Sequence, residues 1–170
     1  MKMEQKIVAA GAATGVLTMA VSVWILTRLL PAPAIGDAPG ERLAYALLAN
    51  VIALVPFFTM LITVSNARFL SEAIDPTLHK ENPRMIVDGR VADNTTQQFL
   101  LFLAGSLALA AALPAERLTI VGAAAITFLI VRLAFWWGYR IHPLYRAFGF
   151  ASTAYLNLGM LVAALWLAMS

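Results

Sequence analysis

Apolar residues in this chain come in five long runs, and the polar residues between them gather in short turns. The runs are Ile7 to Leu30, about Leu43 to Val64, about Phe99 to Leu113, Leu118 to Tyr139 and about Ala147 to Met169. A helix needs roughly 20 mainly apolar residues to cross a bilayer. Four runs satisfy that directly. The third does so once it is extended back into the polar residues that precede it. The pattern therefore predicts an all-α integral membrane protein with five spans. The first run is too long for a removable signal peptide and lacks a small-residue cleavage site. Between the runs lie PAPAIGDAPGER (31–42), SEAIDPTLHKENPRMIVDG (71–89), the tight Pro114-Ala115-Glu116 turn and RIHPLYR (140–146). Proline disfavours helix on both its sides, so Pro143 marks a turn, and Pro56 predicts a bend inside the second span.

Composition agrees with the pattern. The chain is 61% hydrophobic and 12% charged, against about 45–50% and about 25% in soluble domains. It has no cysteine, which excludes a disulfide framework, a thiolate metal site and a protein thiol nucleophile. His79 and His142 are far apart and beside turn signals, so no metal site is expected. Lysine and arginine collect on the cytoplasmic side of membrane proteins. Lys2, Lys6, Arg68, Lys80, Arg84, Arg90, Arg140 and Arg146 fall on one side, and Arg28, Arg42 and Arg117 on the other. That bias predicts a cytoplasmic N-terminus and a C-terminus on the opposite side.

Two polar stripes carry the candidate chemistry. RVADNTTQQFLLFL puts Arg90, Asn94, Gln97 and Gln98 at the three- and four-residue spacing of one helix face. The same strip fits a capping box, with Asn94 accepting from the backbone at Gln97. It also fits packing, because polar side chains join helices in lipid at about 0.6 kcal/mol each. Asn94-Thr95-Thr96 matches a glycosylation pattern but falls on the cytoplasmic side. The second stripe is RLAFWWGYRIHPLYR, in which Arg132, Trp136 and Tyr139 share a face. Arg132 lies about two turns inside its span, where a charge costs about 2.5–3.5 kcal/mol. It must face protein or a wet cavity, or else snorkel to the interface. Trp136, Trp137 and Tyr139 equally fit an aromatic belt. Both stripes project toward the same membrane face, with Arg68 at the end of span two nearby. None of the candidate side chains named on the two stripes is a carboxylate. Guanidinium and amide donors in such a set suit an anionic ligand, and nothing resembles an acid/base dyad, a nucleophile triad or a P-loop. In span one, Gly11-x-x-x-Gly15 permits close approach of another helix.

These two blocks resemble the MAPEG family, the membrane-associated proteins in eicosanoid and glutathione metabolism. RVADNTTQQFLLFL is similar to the family's Arg-x-x-x-Asn-x-x-Glu motif. RLAFWWGYRIHPLYRAFGF is similar to its later block, with a Gly-Tyr pair and an arginine at the next helix start. The resemblance covers about Leu43 to the C-terminus and implies a four-helix bundle over residues 43–170. Residues 7–30 then form an extra N-terminal span, and the whole chain one membrane domain. It implies a bacterial-type member in a bacterial inner membrane.

Carried over by residue, the resemblance gives Arg90, Asn94 and Tyr139 to glutathione binding and Arg146 to stabilising the glutathione thiolate. Arg68 lies near a family arginine at the end of the first helix of the four. Gln97, Gln98 and Arg132 complete the candidate ligand-binding set. Two positions depart from the pattern: Gln97 replaces a glutamate, and Phe135 replaces a tyrosine in many members. The implied function is a glutathione-dependent transferase or peroxidase. Glutathione would be its co-substrate, a small lipophilic molecule its substrate, membrane lipid its surroundings and a homotrimer its assembly. No nucleic-acid partner is expected. The competing expectation is a non-catalytic membrane protein that uses the same cavity for lipid or another anion.

Overall fold

The computed structural model describes residues 2–170. It holds five long helices: α1 (Met3–Leu29), α2 (Pro39–Phe69), α3 (Pro83–Ala112), α4 (Thr119–Ile141) and α5 (Arg146–Met169). Single 3-10 turns occupy Glu72–Ile74, Pro76–Leu78, Ala115–Arg117 and Pro143–Tyr145. Each long helix, with its flanking turn where one abuts it, is long and apolar enough to cross a membrane. No strand occurs among the described residues. The chain is thus an all-α multi-pass integral membrane protein, as its hydrophobic pattern predicts.

Helix starts follow local chemistry. Pro39 and Pro83 each occupy a first helical position, where the missing N–H has no partner to lose. Asn82 caps α3, its Oδ1 accepting from the Met85 N–H at 2.9 Å. This corrects the capping expectation for Asn94. That residue lies about three turns inside α3, at 3.6 residues per turn, and Asn82 holds the capping role. The last part of the stretch expected as loop, from Pro83 to Gly89, is therefore helix. Helix α2 continues unbroken through Pro56.

Helix α4 is the most buried of the five and α1 the least. α4 packs against all four others. Phe102 and Phe128 meet at 4.8 Å between ring centroids in the core, among alanines such as Ala46, Ala53, Ala124 and Ala125 that let helices approach closely. Polar residues join helices within this core. Asn50 donates to Ser106 Oγ at 2.8 Å, and Asn157 donates to the Gln98 side chain and backbone carbonyl at 2.9 Å. Leu48, Val51 and Phe58 on α2 face outward. On a soluble protein such a surface would drive association, whereas lipid solvates it. At one end of the bundle, Arg42 donates to the Leu113 carbonyl and Asp37 accepts from the Ala115 N–H, fixing the α3–α4 turn. At the other end, the Pro143–Tyr145 turn lies against the start of α1.

The two α1 glycines face α5. A Cβ at Gly15 would collide with the Phe148 carbonyl oxygen and lie 2.9 Å from Ser152 Oγ. That hydroxyl donates to the Gly15 carbonyl at 2.9 Å. A Cβ at Gly11 would sit 3.4 Å from Ala147 Cβ, an ordinary contact. The two positions should therefore respond differently to alanine. Gly15→Ala is expected to cost about 1–3 kcal/mol of overpacking strain, lowering the melting temperature in detergent. Gly11→Ala should leave it unchanged or slightly raised. Equal melting temperatures for both variants would contradict this packing.

Candidate functional site

Three pairs of side chains, each spaced by four along its own helix, converge at the end of the bundle that holds the Pro143 turn. Arg90 and Asn94 come from α3, Phe135 and Tyr139 from α4, Arg146 and Phe150 from α5. Four-residue spacing puts each pair on one helix face. Together they line a cavity of about 470 Å³, within the usual range of about 300–1,000 Å³ for small-molecule sites. Gly149 lets α5 close on α4, since a Cβ there would lie 2.5 Å from Phe135 Cβ. The tight turn at Pro143 then brings Arg146 back beside Tyr139. Its Nη1 donates to the phenol oxygen at 3.3 Å, and the guanidinium lies 5.3 Å from the ring centroid.

Among the described residues, no carboxylate lines this cavity. Among the described residues, the ion pairs are Arg68–Glu81, Lys80–Glu72 and Arg140–Asp88. Arg90 and Arg146 enter none of them. Arginine stays protonated at any physiological pH, so the cavity carries two fixed positive charges that the chain does not neutralise.

Behind the cavity lies Arg132, at 0% exposure. It does not snorkel. Its Nε and Nη2 donate to Thr95 Oγ1, at 3.2 and 2.5 Å. Nη1 and Nη2 both donate to Asn94 Oδ1 at 3.1 Å, and Nη1 also reaches Thr153 Oγ1 at 3.3 Å. The guanidinium carbon lies 4.1 Å from the Phe135 ring centroid, a cation–π contact. A guanidinium only donates. It therefore dictates that Asn94 turns its oxygen inward, which leaves the amide nitrogen as the group Asn94 can offer the cavity. Arg132 thus shapes the cavity without lining it.

The remaining candidates are distributed around this centre. Gln98 is buried and engaged with Asn157 of α5. Gln97, one residue earlier and about 100° around the helix, is exposed. Arg68, at the end of α2, pairs with Glu81 at 3.2 Å. None of these three lines the cavity.

Sequence reasoning missed Asp88. Its carboxylate is buried and accepts from Trp136 Nε1 at 2.7 Å, Arg140 Nε at 2.7 Å and Arg140 Nη2 at 2.6 Å. The signal lies in the sequence: Trp136 and Arg140 are spaced by four, and Asp88 is an acid on the neighbouring helix that both can reach. This bidentate pair braces α3 against α4 beside the cavity.

The model of the MAPEG family matches residues 43–166, close to three quarters of the chain. The chain belongs to the MAPEG family. No curated protein and no solved structure matches it. The MAPEG match includes every residue lining the cavity and leaves α1 outside.

The Asp88–Arg140 brace in this MAPEG protein can be tested by stability. Asp88→Ala leaves Arg140 and Trp136 without their acceptor and is expected to cost about 3–5 kcal/mol in unfolding, as for other broken buried pairs. The double variant Asp88→Leu/Arg140→Met, which removes both charges, should recover most of that loss. A single variant as stable as the wild type, measured by denaturant unfolding in detergent, would show that the pair does not brace the helices.

Proposed function

We propose that this MAPEG protein binds glutathione in the Arg90–Asn94–Tyr139–Arg146 cavity and presents its thiolate to a lipophilic substrate arriving from the bilayer. The observation that carries this reading is the pair of arginines facing one cavity with no carboxylate to neutralise either. The lining suits the ligand's chemistry. Glutathione brings two carboxylates and a thiol, and the cavity offers two guanidiniums, an amide donor and a phenol.

A free thiol titrates near 8.5, so little thiolate exists at neutral pH. A fixed positive charge beside the sulfur favours the thiolate, and a shift of about two units is ordinary for such a partly desolvated pair. That shift corresponds to about 2.7 kcal/mol. Arg146 suits this role for a second reason. It is the first residue of α5, and a helix N-terminus adds positive potential. Arg90 and Asn94 then hold a carboxylate, while Arg132 keeps Asn94 oriented. The thiolate is the nucleophile toward a lipophilic electrophile or hydroperoxide, so a chain without cysteine suffices.

The reading extends to assembly and placement. Gln97 and Arg68 lie outside the single-chain cavity, and they reach a ligand only where a neighbouring subunit closes it, as in a homotrimer. The positive residues around the cavity support an orientation with that end of the bundle, and the N-terminus, in the cytoplasm. A bacterial inner membrane suits that orientation. One observation favours a second reading, a non-catalytic bundle that holds lipid or another anion in the same cavity. Gln97 lacks the acid that the family motif carries there, and Phe135 lacks the hydroxyl that many members carry.

Ultraviolet absorbance of the bound thiolate separates the roles. Arg146→Ala should still bind glutathione but raise the pH at which thiolate appears by about two units, the size of the shift ascribed to it. Arg90→Ala should weaken binding about tenfold or more, as expected for a lost charge-assisted hydrogen bond, with the thiolate titration unmoved. An Arg146→Ala variant with the wild-type thiolate titration would rule out its assigned role.

A further inference from the structure

A second charged cavity opens at the same end of the bundle, on the seam between α3 and α4. It encloses about 480 Å³, and its walls are Pro83, Arg84 and Val87 of α3 with Trp137, Arg140 and Ile141 of α4. None of these residues lines the cavity of Arg90 and Arg146. Arg84 stands in the first turn of α3 and Arg140 in the last turn of α4, with Val87 and Trp137 about one turn deeper. Helix α3 has 30 residues, about 45 Å at 1.5 Å per residue, against a hydrocarbon core of about 30 Å. Its ends reach beyond that core, which puts Arg84 among the headgroups and Val87 and Trp137 near the boundary with the acyl chains. Arg140 is held in place by the chain itself. Its Nε and Nη2 donate to Asp88, and its guanidinium carbon lies 4.3 Å from the Trp136 ring centroid. Asp88 balances that charge, yet Nη1 has no partner among the described residues. Arg84 is exposed, one turn before Asp88 on the same helix face, and enters no ion pair among them. Two guanidiniums therefore meet at one opening beside one carboxylate, which leaves one net positive charge.

We propose that this cavity is a structural lipid site. It holds the headgroup of an anionic phospholipid, with the phosphate between Arg84 and Arg140 and the first acyl carbons against Trp137 and Ile141. Basic pockets between transmembrane helices take such headgroups, and a guanidinium pairs with phosphate through two parallel hydrogen bonds. Three features separate the site from a lone interfacial arginine. It is concave and shared by two helices, one of its guanidiniums is already fixed by Asp88 and Trp136, and its walls carry no carboxylate for the ammonium of a zwitterionic headgroup. The apolar walls favour a lipid over a free phosphate, since a soluble anion leaves the exposed faces of Trp137 and Ile141 uncovered. The bound lipid covers the Asp88–Arg140 brace and so stabilises the α3–α4 contact. This site goes beyond the glutathione reading and does not depend on it.

Native mass spectrometry of the full chain tests the assignment. The detergent-solubilised protein is offered equimolar phosphatidylglycerol and phosphatidylcholine with identical acyl chains, and the retained lipid is identified. Phosphatidylglycerol is expected to be retained about fivefold over phosphatidylcholine, the factor that one arginine at an anionic headgroup supplies. Arg84→Gln should remove that preference. Ile141→Glu, which sets a carboxylate on the wall at an exposed position, should remove it as well, so the outcome does not hang on one variant. Lys6→Ala takes the same charge from the same end of the bundle outside the cavity and should leave the preference intact. Glycerol 3-phosphate at the lipid's concentration and constant ionic strength should displace no lipid. Equal retention of the two lipids by the wild type, a preference that survives either cavity variant, an equal loss in Lys6→Ala, or displacement by glycerol 3-phosphate would each overturn the proposal. Glutathione titration of the same samples is a separate readout: lipid preference without glutathione binding refutes the glutathione reading alone, and the converse refutes the lipid site alone.

Discussion

The guanidinium of Arg132 is the constraint around which the rest of the site is arranged. A charge at that depth in a membrane bundle costs about 2.5–3.5 kcal/mol unless protein replaces its water. Here α4 carries the charge, α3 supplies Asn94 and Thr95, α5 supplies Thr153, and Phe135 stacks beneath. All the acceptors are neutral. The helices must therefore hold one relative placement or leave a buried cation short of partners. That placement fixes the orientation of Asn94 and keeps Phe135 at the cavity wall.

Two further contacts extend the same frame. The Asp88 carboxylate also ties α3 to α4 and neutralises Arg140. Gly149 allows α5 to rest against the Phe135 backbone, which sets the height at which Arg146 emerges beside Tyr139. The cation that would compete for an anionic ligand is thus consumed, while Arg90 and Arg146 are left free. The division between spent and unspent arginines produces the electrostatic character of the cavity.

Much of this was legible in the sequence. Five apolar runs suffice for five spans because lipid admits few alternatives to a continuous helix. Spacing and the family motif mark Arg90 with Asn94, the second stripe and the resemblance mark Tyr139, and the resemblance marks Arg146; the structure places all four around one cavity. Other features depended on relations between helices. Gln97 and Gln98 are adjacent in sequence, yet only rotation about α3 decides that one is exposed and the other meets Asn157. Pro83 reads as a loop residue and serves as a helix start. Asp88 reads as loop polarity in the sequence, whereas α3 begins five residues before it, at Pro83. Arg132 reads as facing protein or a wet cavity, or else snorkelling, and the positions of Thr95 and Thr153 show that protein receives it inside the bundle.

The central claim is that a cavity holding two unneutralised arginines recognises an anionic thiol. Isothermal titration of the detergent-solubilised chain with glutathione tests it most directly. The account predicts saturable heat that weakens as ionic strength rises, because each carboxylate–guanidinium contact is screened by salt. No saturable heat, or binding indifferent to salt, would contradict it.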